Sequence, residues 1–171
     1  MKTYERAING NKVISILKKP EEIKSIKNLK VTQVTGICFT NNGDVMIISN
    51  KPGKWGLPGG KPENSETFEE TLRREVKEEA CIELGKVLPI AFLEIHFPQN
   101  PNKEEGELFY QARYATLIKN INKMTIDPAT KTLFKRKFIK LKDFTQYIRW
   151  PEAQDLIELA SAALNILKSY G

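Results

Sequence analysis

The chain has 171 residues, 40% hydrophobic and 28% charged. That is the balance of a folded protein rather than a disordered tail, and the length suits one domain whose core needs no disulfide or metal as a staple. No apolar run approaches the roughly 18 residues of a membrane-spanning helix, while a net charge of +6 and a pI near 9.2 favour a polyanionic partner: nucleic acid, an acidic membrane surface or a phosphorylated small molecule.

The first thirty residues hold eight Lys or Arg against three Glu, and within them residues 12–17 read as a short strand. Residues 1–30 are thus expected to be a basic N-terminal extension or added strand of a single domain over 1–171. The apolar run from Val13 to Leu17 is too short for a signal peptide and stops at Lys18, Lys19 and Pro20, so a cytoplasmic location is expected. Residues 31–40 and 44–49 are β-branched or apolar runs on either side of Asn41, Asn42 and Gly43, the chemistry of a tight hairpin turn, and predict an antiparallel pair. Residues 51–60 carry four glycines and two prolines, which predicts a loop. A helix follows from Thr67, whose side chain with Glu70 makes a capping box, and Phe68, Leu72, Val76 and Ala80 give it an apolar stripe. Strands are predicted at 87–97 and 107–118, joined by the polar loop 98–106, and a last strand near 136–141. A helix over 151–169 starts with Pro151 in its first turn and buries Leu156, Leu159, Ala160, Ala163, Leu164 and Leu167. The mixture predicts an α/β (α+β) protein, a sheet covered by helices on its faces. Cys38 and Cys81 have no metal-ligand spacing and are read as reduced packing residues.

Residues 66–83 contain seven Glu and three basic residues, a local charge of −4 inside a remainder of +10. Glu75, Glu78 and Glu79 stand at i, i+3 and i+4 and share one helix face. Like charges at this spacing repel unless a cation sits among them. A solvated acidic face is the plain reading; the alternative is a site for a hard divalent cation, which takes oxygen ligands together with water and phosphate.

The neighbouring residues decide between these. Gly60, Glu66, Arg74, Glu75, Val76, Glu78, Glu79 and Ile82 stand in the register of the pattern G-x5-E-x7-R-E-U-x-E-E-x-G-U, where U is bulky and apolar. The segment resembles the Nudix box, and residues 55–60 look like that family's lead-in. Cys81 departs, standing where the family has glycine. More weakly, the order of strands and helices extends the likeness over residues 31–168.

The resemblance implies an α/β/α sandwich with a mixed sheet between helices. It further implies a Mg²⁺-dependent, or Mn²⁺-dependent, hydrolase of the MutT-like kind that cleaves a nucleoside diphosphate linked to another moiety, such as an NTP, a dNTP or ADP-ribose. By that likeness Gly60, Glu75, Glu78 and Glu79 hold the metal, Arg74 orients Glu75, and Glu66 fixes loop to helix. The general base is Glu75 first, with Glu104, Glu105 and Glu107 as loop alternatives. Because a glycine after a helix supplies the left-handed conformation, Cys81 implies that this helix terminates differently. Gln111 and Arg113 share a strand face and are candidates to reach phosphate or base, with Glu105 and Glu107 in the adjoining loop. Phe92, Phe97, Phe109, Tyr110 and Tyr114 are read as core before stacking surface, and His96 as structural. The six basic residues of 131–142 are read as a solvated strand and loop. The competing reading is a non-catalytic Nudix-fold module that binds a nucleotide or RNA; retention of the whole carboxylate set argues against it. An isomerase of the same fold is a third option, and a homodimer is left open.

Overall fold

A computed structural model of the chain describes residues 2–8, 11–97 and 107–169. Strands β1 (Lys2–Ile8), β2 (Asn11–Lys18), β3 (Val31–Phe39), β4 (Val45–Lys51), β5 (Lys54–Gly56), β6 (Gly59–Gly60), β7 (Ile82–His96), β8 (Leu108–Ile121) and β9 (Lys135–Ile139) form one mixed sheet. Its order is β1-β2-β7-β8-β3-β4-β5, with β6 added to β3 and β9 to β4. β3 runs parallel to β8, and the other described pairings are antiparallel.

Side chains alternate between the two faces of a strand, and each face here has its own helix. On one face α1 (Phe68–Ala80) lays Leu72, Val76 and Ala80 over Val34, Cys38, Met46, Phe92 and Ala112. On the other α3 (Ala153–Lys168) packs Leu156, Ala160, Ala163, Leu164 and Leu167 over Ile37, Phe39, Leu93, Ile95 and Ala115. The short α2 (Phe144–Tyr147) joins the second layer through Phe144. This is the expected sandwich. The turn between β3 and β4 closes as its sequence requires, with Gly43 at φ +85°.

Local departures have physical causes. Residues 51–60 are not loop throughout: Gly59 pairs with Thr35 and Gly60 with Val34, an approach that needs glycine because a Cβ on Gly59 would lie 2.0 Å from the Val34 carbonyl oxygen. β7 begins at Ile82 rather than 87, its first turn of pairing broken by register shifts around Leu84 and Val87. α3 starts at Ala153, because Pro151 and Glu152 form the turn before it. The expectation for the end of α1 is corrected: Cys81 takes the left-handed conformation itself, at φ 52° and ψ 45°, and its N–H donates to the Lys77 carbonyl at 3.1 Å. Its thiol accepts from the Thr125 N–H at 3.3 Å, a contact that offsets part of the roughly 1 kcal/mol strain.

The N-terminal segment adds a hairpin to the sheet edge. β1 pairs with β2, and β2 with β7 from Ile14–His96 to Lys18–Phe92. Lys2 and Tyr4 both bond Asp155 on α3, and Arg6 reaches Glu152.

Candidate active site

The buried stripe of α1 fixes where its carboxylates go. Thr71, Leu72, Val76 and Ala80 face the sheet, so Glu75, Glu78 and Glu79 run along the helix edge beside Gly59 and Gly60. A Cβ on Gly60 would fall 2.1 Å from Glu75 Oε1; only a glycine lets that carboxylate reach the main chain. Glu79 Oε2 accepts the Gly59 N–H at 2.9 Å.

Arg74 ties the parts together. Its Nε donates to Glu66 Oε1 at 2.7 Å and its Nη1 to Glu75 Oε1 at 2.8 Å, with Glu78 Oε2 at 3.4 Å. Nη2 donates to Glu66 Oε2 and to the Lys61 carbonyl, both at 3.1 Å. A planar five-donor group can hold two carboxylates and a loop at once; an ammonium cannot. Glu66 also accepts the Glu63 N–H and the Thr71 hydroxyl, and Arg74 first, then that N–H, hold its carboxyl down at about 2.

The other carboxyls respond in the opposite direction. Burial pushes Glu79 up to about 7, with the charges of Glu75, Asp127 and Glu78 adding to the rise. Burial likewise raises Glu75, against the pull of Arg74. Among the described residues, no three Asp, Glu, His or Cys side chains converge as a finished metal cage. The donor set still fits a hard divalent cation: several carboxylates under mutual repulsion, with the Gly60 backbone at Glu75. A cleft lined by Arg74, Lys77, Glu78, Thr125 and Pro128 opens alongside.

Thus Gly60, Glu66, Arg74, Glu75, Glu78 and Glu79 come together. Gln111 and Arg113 do not join them: they lie on the α3 face of the sheet, where Arg113 is buried, its Nη2 donating to Gln111 Oε1 at 2.7 Å and its guanidinium 4.8 Å from the Trp150 ring. Glu104 and Glu105 fall outside the described residues, and Glu107 is exposed just before β8. His96 pairs with Glu94 at 2.8 Å, and Phe92 is core. In the basic run, Arg136 donates to the Ala80 and Asn122 carbonyls, so it closes the C-terminal end of α1 rather than lying free in solvent. Asp127, buried in the segment after β8, was not singled out from sequence; Asp-Pro at 127–128 is only a turn signal. Its carboxylate accepts from Ala129 and Thr130, and its charge acts on both Glu75 and Glu79.

A mixed sheet between two helices, with this carboxylate edge at a glycine pair, defines a class, and comparison with known proteins agrees. The chain belongs to the Nudix domain family, whose model matches residues 30–160 and leaves β1 and β2 outside. It is 51% identical over 70 residues to Nucleoside triphosphatase NudI of Enterobacter sp. (strain 638), 35% of this chain and 50% of that protein. The chain therefore spans about half the length of the curated relative it matches. Two solved structures share the fold: the Bacillus subtilis pyrophosphohydrolase BsRppH, with TM-score 0.60, 19% identity and 98% of each chain covered, and the Nudix domain of Shewanella oneidensis NrtR complexed with ADP ribose, with TM-score 0.56, 22% identity and 86% and 94% covered.

Proposed function

We propose that the protein is a divalent-metal-dependent pyrophosphohydrolase that cleaves a nucleoside diphosphate linked to another moiety, adding water across one P–O–P bridge to release two phosphorylated products. The observation that carries this is the juxtaposition of Glu75, Glu78 and Glu79 with Gly59 and Gly60, under the fork of Arg74. Family membership and the likeness to a nucleoside triphosphatase support it.

Glu75, Glu78, Glu79 and the Gly60 carbonyl would hold Mg²⁺ or Mn²⁺, which when bound neutralises diphosphate oxygens and acidifies water. Arg74 fixes Glu75 through Oε1, leaving Oε2 as the oxygen that takes the proton of the attacking water. Glu66, ionised through the working range, holds Arg74 against the loop. Gln111 and Arg113, bonded to each other across the sheet from α1, are candidates for the nucleoside end of the substrate rather than its phosphates. Glu105 and Glu107 are further candidates for contact with the substrate. A cytoplasmic setting agrees with two free cysteines, and among the described residues no helix is long and apolar enough to cross a membrane.

The test is product release from a panel of NTPs, dNTPs, ADP-ribose, dinucleoside polyphosphates and sugar nucleotides with Mg²⁺ and with Mn²⁺. Cleavage of at least one at ordinary rates is expected. Silence across the panel overturns the reading, and tight, salt-sensitive RNA binding without hydrolysis would replace it with a binding module.

A further inference from the structure

Ligand pockets in folded proteins are clefts of some hundreds of Å³, mostly apolar, with a few polar groups aimed inward. One such cavity lies away from the carboxylate edge. It measures about 550 Å³ and sits at the first turn of α1, with Ile26, Phe68, Val87, Pro89 and Tyr114 as its apolar wall and Glu66, Thr67 and Glu69 at the helix start. This is the flank of α1 that faces β7, where Arg73, one turn on from Glu69, donates to the Leu84 and Gly85 carbonyls. Glu75, Glu78 and Glu79 run along the other edge. Ile26 precedes residue 30, so part of the wall comes from the linker between β2 and β3, outside the family match.

The open polar groups of this cavity are donors. Tyr114 is 7% exposed, yet its hydroxyl has no hydrogen-bond partner among the described residues and is not one of the sealed side-chain atoms, so it opens to the cavity its ring lines. Burial, then the charge of Glu69, pushes that hydroxyl up to about 12, and it keeps its proton. The first N–H groups of a helix have no partner within it. Thr67 caps that of Glu70, while those of Phe68 and Glu69 are left without one among the described residues. The acceptors nearby are taken. Glu66 accepts from Arg74, the Glu63 N–H and the Thr71 hydroxyl, Glu69 from Nε and Nη2 of Arg73 at 2.9 and 2.7 Å, and the Thr67 hydroxyl donates to Glu70 at 2.8 Å.

We infer that this cavity is an effector site for a small uncharged ring compound carrying a carbonyl oxygen, and that its occupant strengthens metal binding along α1. The ring covers the apolar wall, and the carbonyl, with its two lone pairs, accepts from Tyr114 and from the open N–H groups of the first turn. An anionic head would meet Glu66, Glu69 and Glu70, which already offset the positive end of the helix. An ammonium would only add donors to donors. The link to the metal runs through Glu66, which lines the cavity and is held at both oxygens by Arg74, the guanidinium that also fixes Glu75. An occupant displaces water from that side of Glu66, and a charged hydrogen-bonded pair is stronger in drier surroundings, so the fork is held more firmly. The coupling rests on the metal site proposed above; the pocket itself does not.

Titration of the full chain with benzamide, benzoate and benzylamine, one ring under a neutral, an anionic and a cationic head, followed by backbone amide chemical shifts, tests the site without requiring turnover. Benzamide is expected to bind several-fold more tightly than either of the others, with its shifts centred on residues 67–69 and 87. Tyr114→Phe is the decisive variant: the hydroxyl has no partner among the described residues, so Tm should hold while benzamide affinity falls several-fold. With benzamide saturating, Mn²⁺ affinity read by electron paramagnetic resonance should rise several-fold. Benzamide binding no tighter than benzoate or benzylamine, shifts centred elsewhere, unchanged affinity in Tyr114→Phe, or Mn²⁺ binding indifferent to benzamide overturns the inference. Hydrolysis across the substrate panel with Mn²⁺ affinity indifferent to benzamide overturns it and leaves the hydrolase reading standing; selective benzamide binding that tightens Mn²⁺, with no hydrolysis of any substrate, does the reverse.

Discussion

Replacing Glu79 by Gln should make the metal-free protein more stable while destroying its affinity for metal. Burial lifts the Glu79 carboxyl from the usual 4.5 to about 7, so its charged form is disfavoured in the folded state. A raised acid costs nothing below its unfolded value; the penalty begins near pH 4.5, grows as pH rises and is complete above about pH 7. A difference of about 2.5 units corresponds to roughly 3 kcal/mol at pH 8. The Gln side chain keeps an acceptor for the Gly59 N–H but has its own desolvation cost, so a net gain of about 2 kcal/mol is the reasonable figure. For a domain of this size that raises Tm by roughly 4–8 °C. Thermal unfolding in EDTA at pH 8 and at pH 4.5 measures it: the gain should be present at the first and nearly absent at the second. A variant less stable than wild type at pH 8 would refute the reasoning, because it would mean that the ionised carboxylate is stabilised where it sits.

Arg74→Lys keeps the charge but cannot span Glu66, Glu75 and the Lys61 carbonyl together. It should weaken Mn²⁺ binding, followed by electron paramagnetic resonance, roughly 10–100-fold; near wild-type affinity would show that the fork is dispensable. Cys81→Gly relieves left-handed strain of roughly 1 kcal/mol and gives up the thiol contact with Thr125. Denaturant unfolding should place it within about 1 kcal/mol of wild type, with turnover changed less than several-fold; a rise in turnover by orders of magnitude would contradict the finding that Cys81 already supplies the glycine conformation.

The carboxylate edge was legible because its chemistry demands residues at fixed helical offsets, and Glu75, Glu78 and Glu79 keep that spacing whatever the rest of the chain does. The Thr67–Glu70 cap and the Asn42–Gly43 turn were legible for the same reason: each is satisfied within four residues. What distant strands contribute has no such local mark. Arg6, Arg113 and Glu152 meet only through the pairings of β1, β2, β7 and β8 and the packing of the turn before α3, and single polar letters in weakly alternating strands do not announce that contact. β1 itself, with Lys, Thr, Glu and Arg among its seven residues, is a strand because β2 offers it an edge. Asp127 was hidden in the same way, its importance set by where the segment after β8 lies rather than by its neighbours in sequence. At Cys81 residue preference pointed the wrong way, because a tertiary contact with Thr125 helps hold a conformation that intrinsic propensity disfavours.

The measurement closest to the central claim is hydrolysis of the nucleotide panel by wild type beside Glu78→Gln and Glu79→Gln, each checked for folding. Wild type should release nucleotide products only with Mg²⁺ or Mn²⁺ present, and each variant should lose most of that activity while staying folded, Glu79→Gln with the raised metal-free Tm given above. Wild-type turnover in both variants would contradict the assignment of this helix edge as the site of reaction.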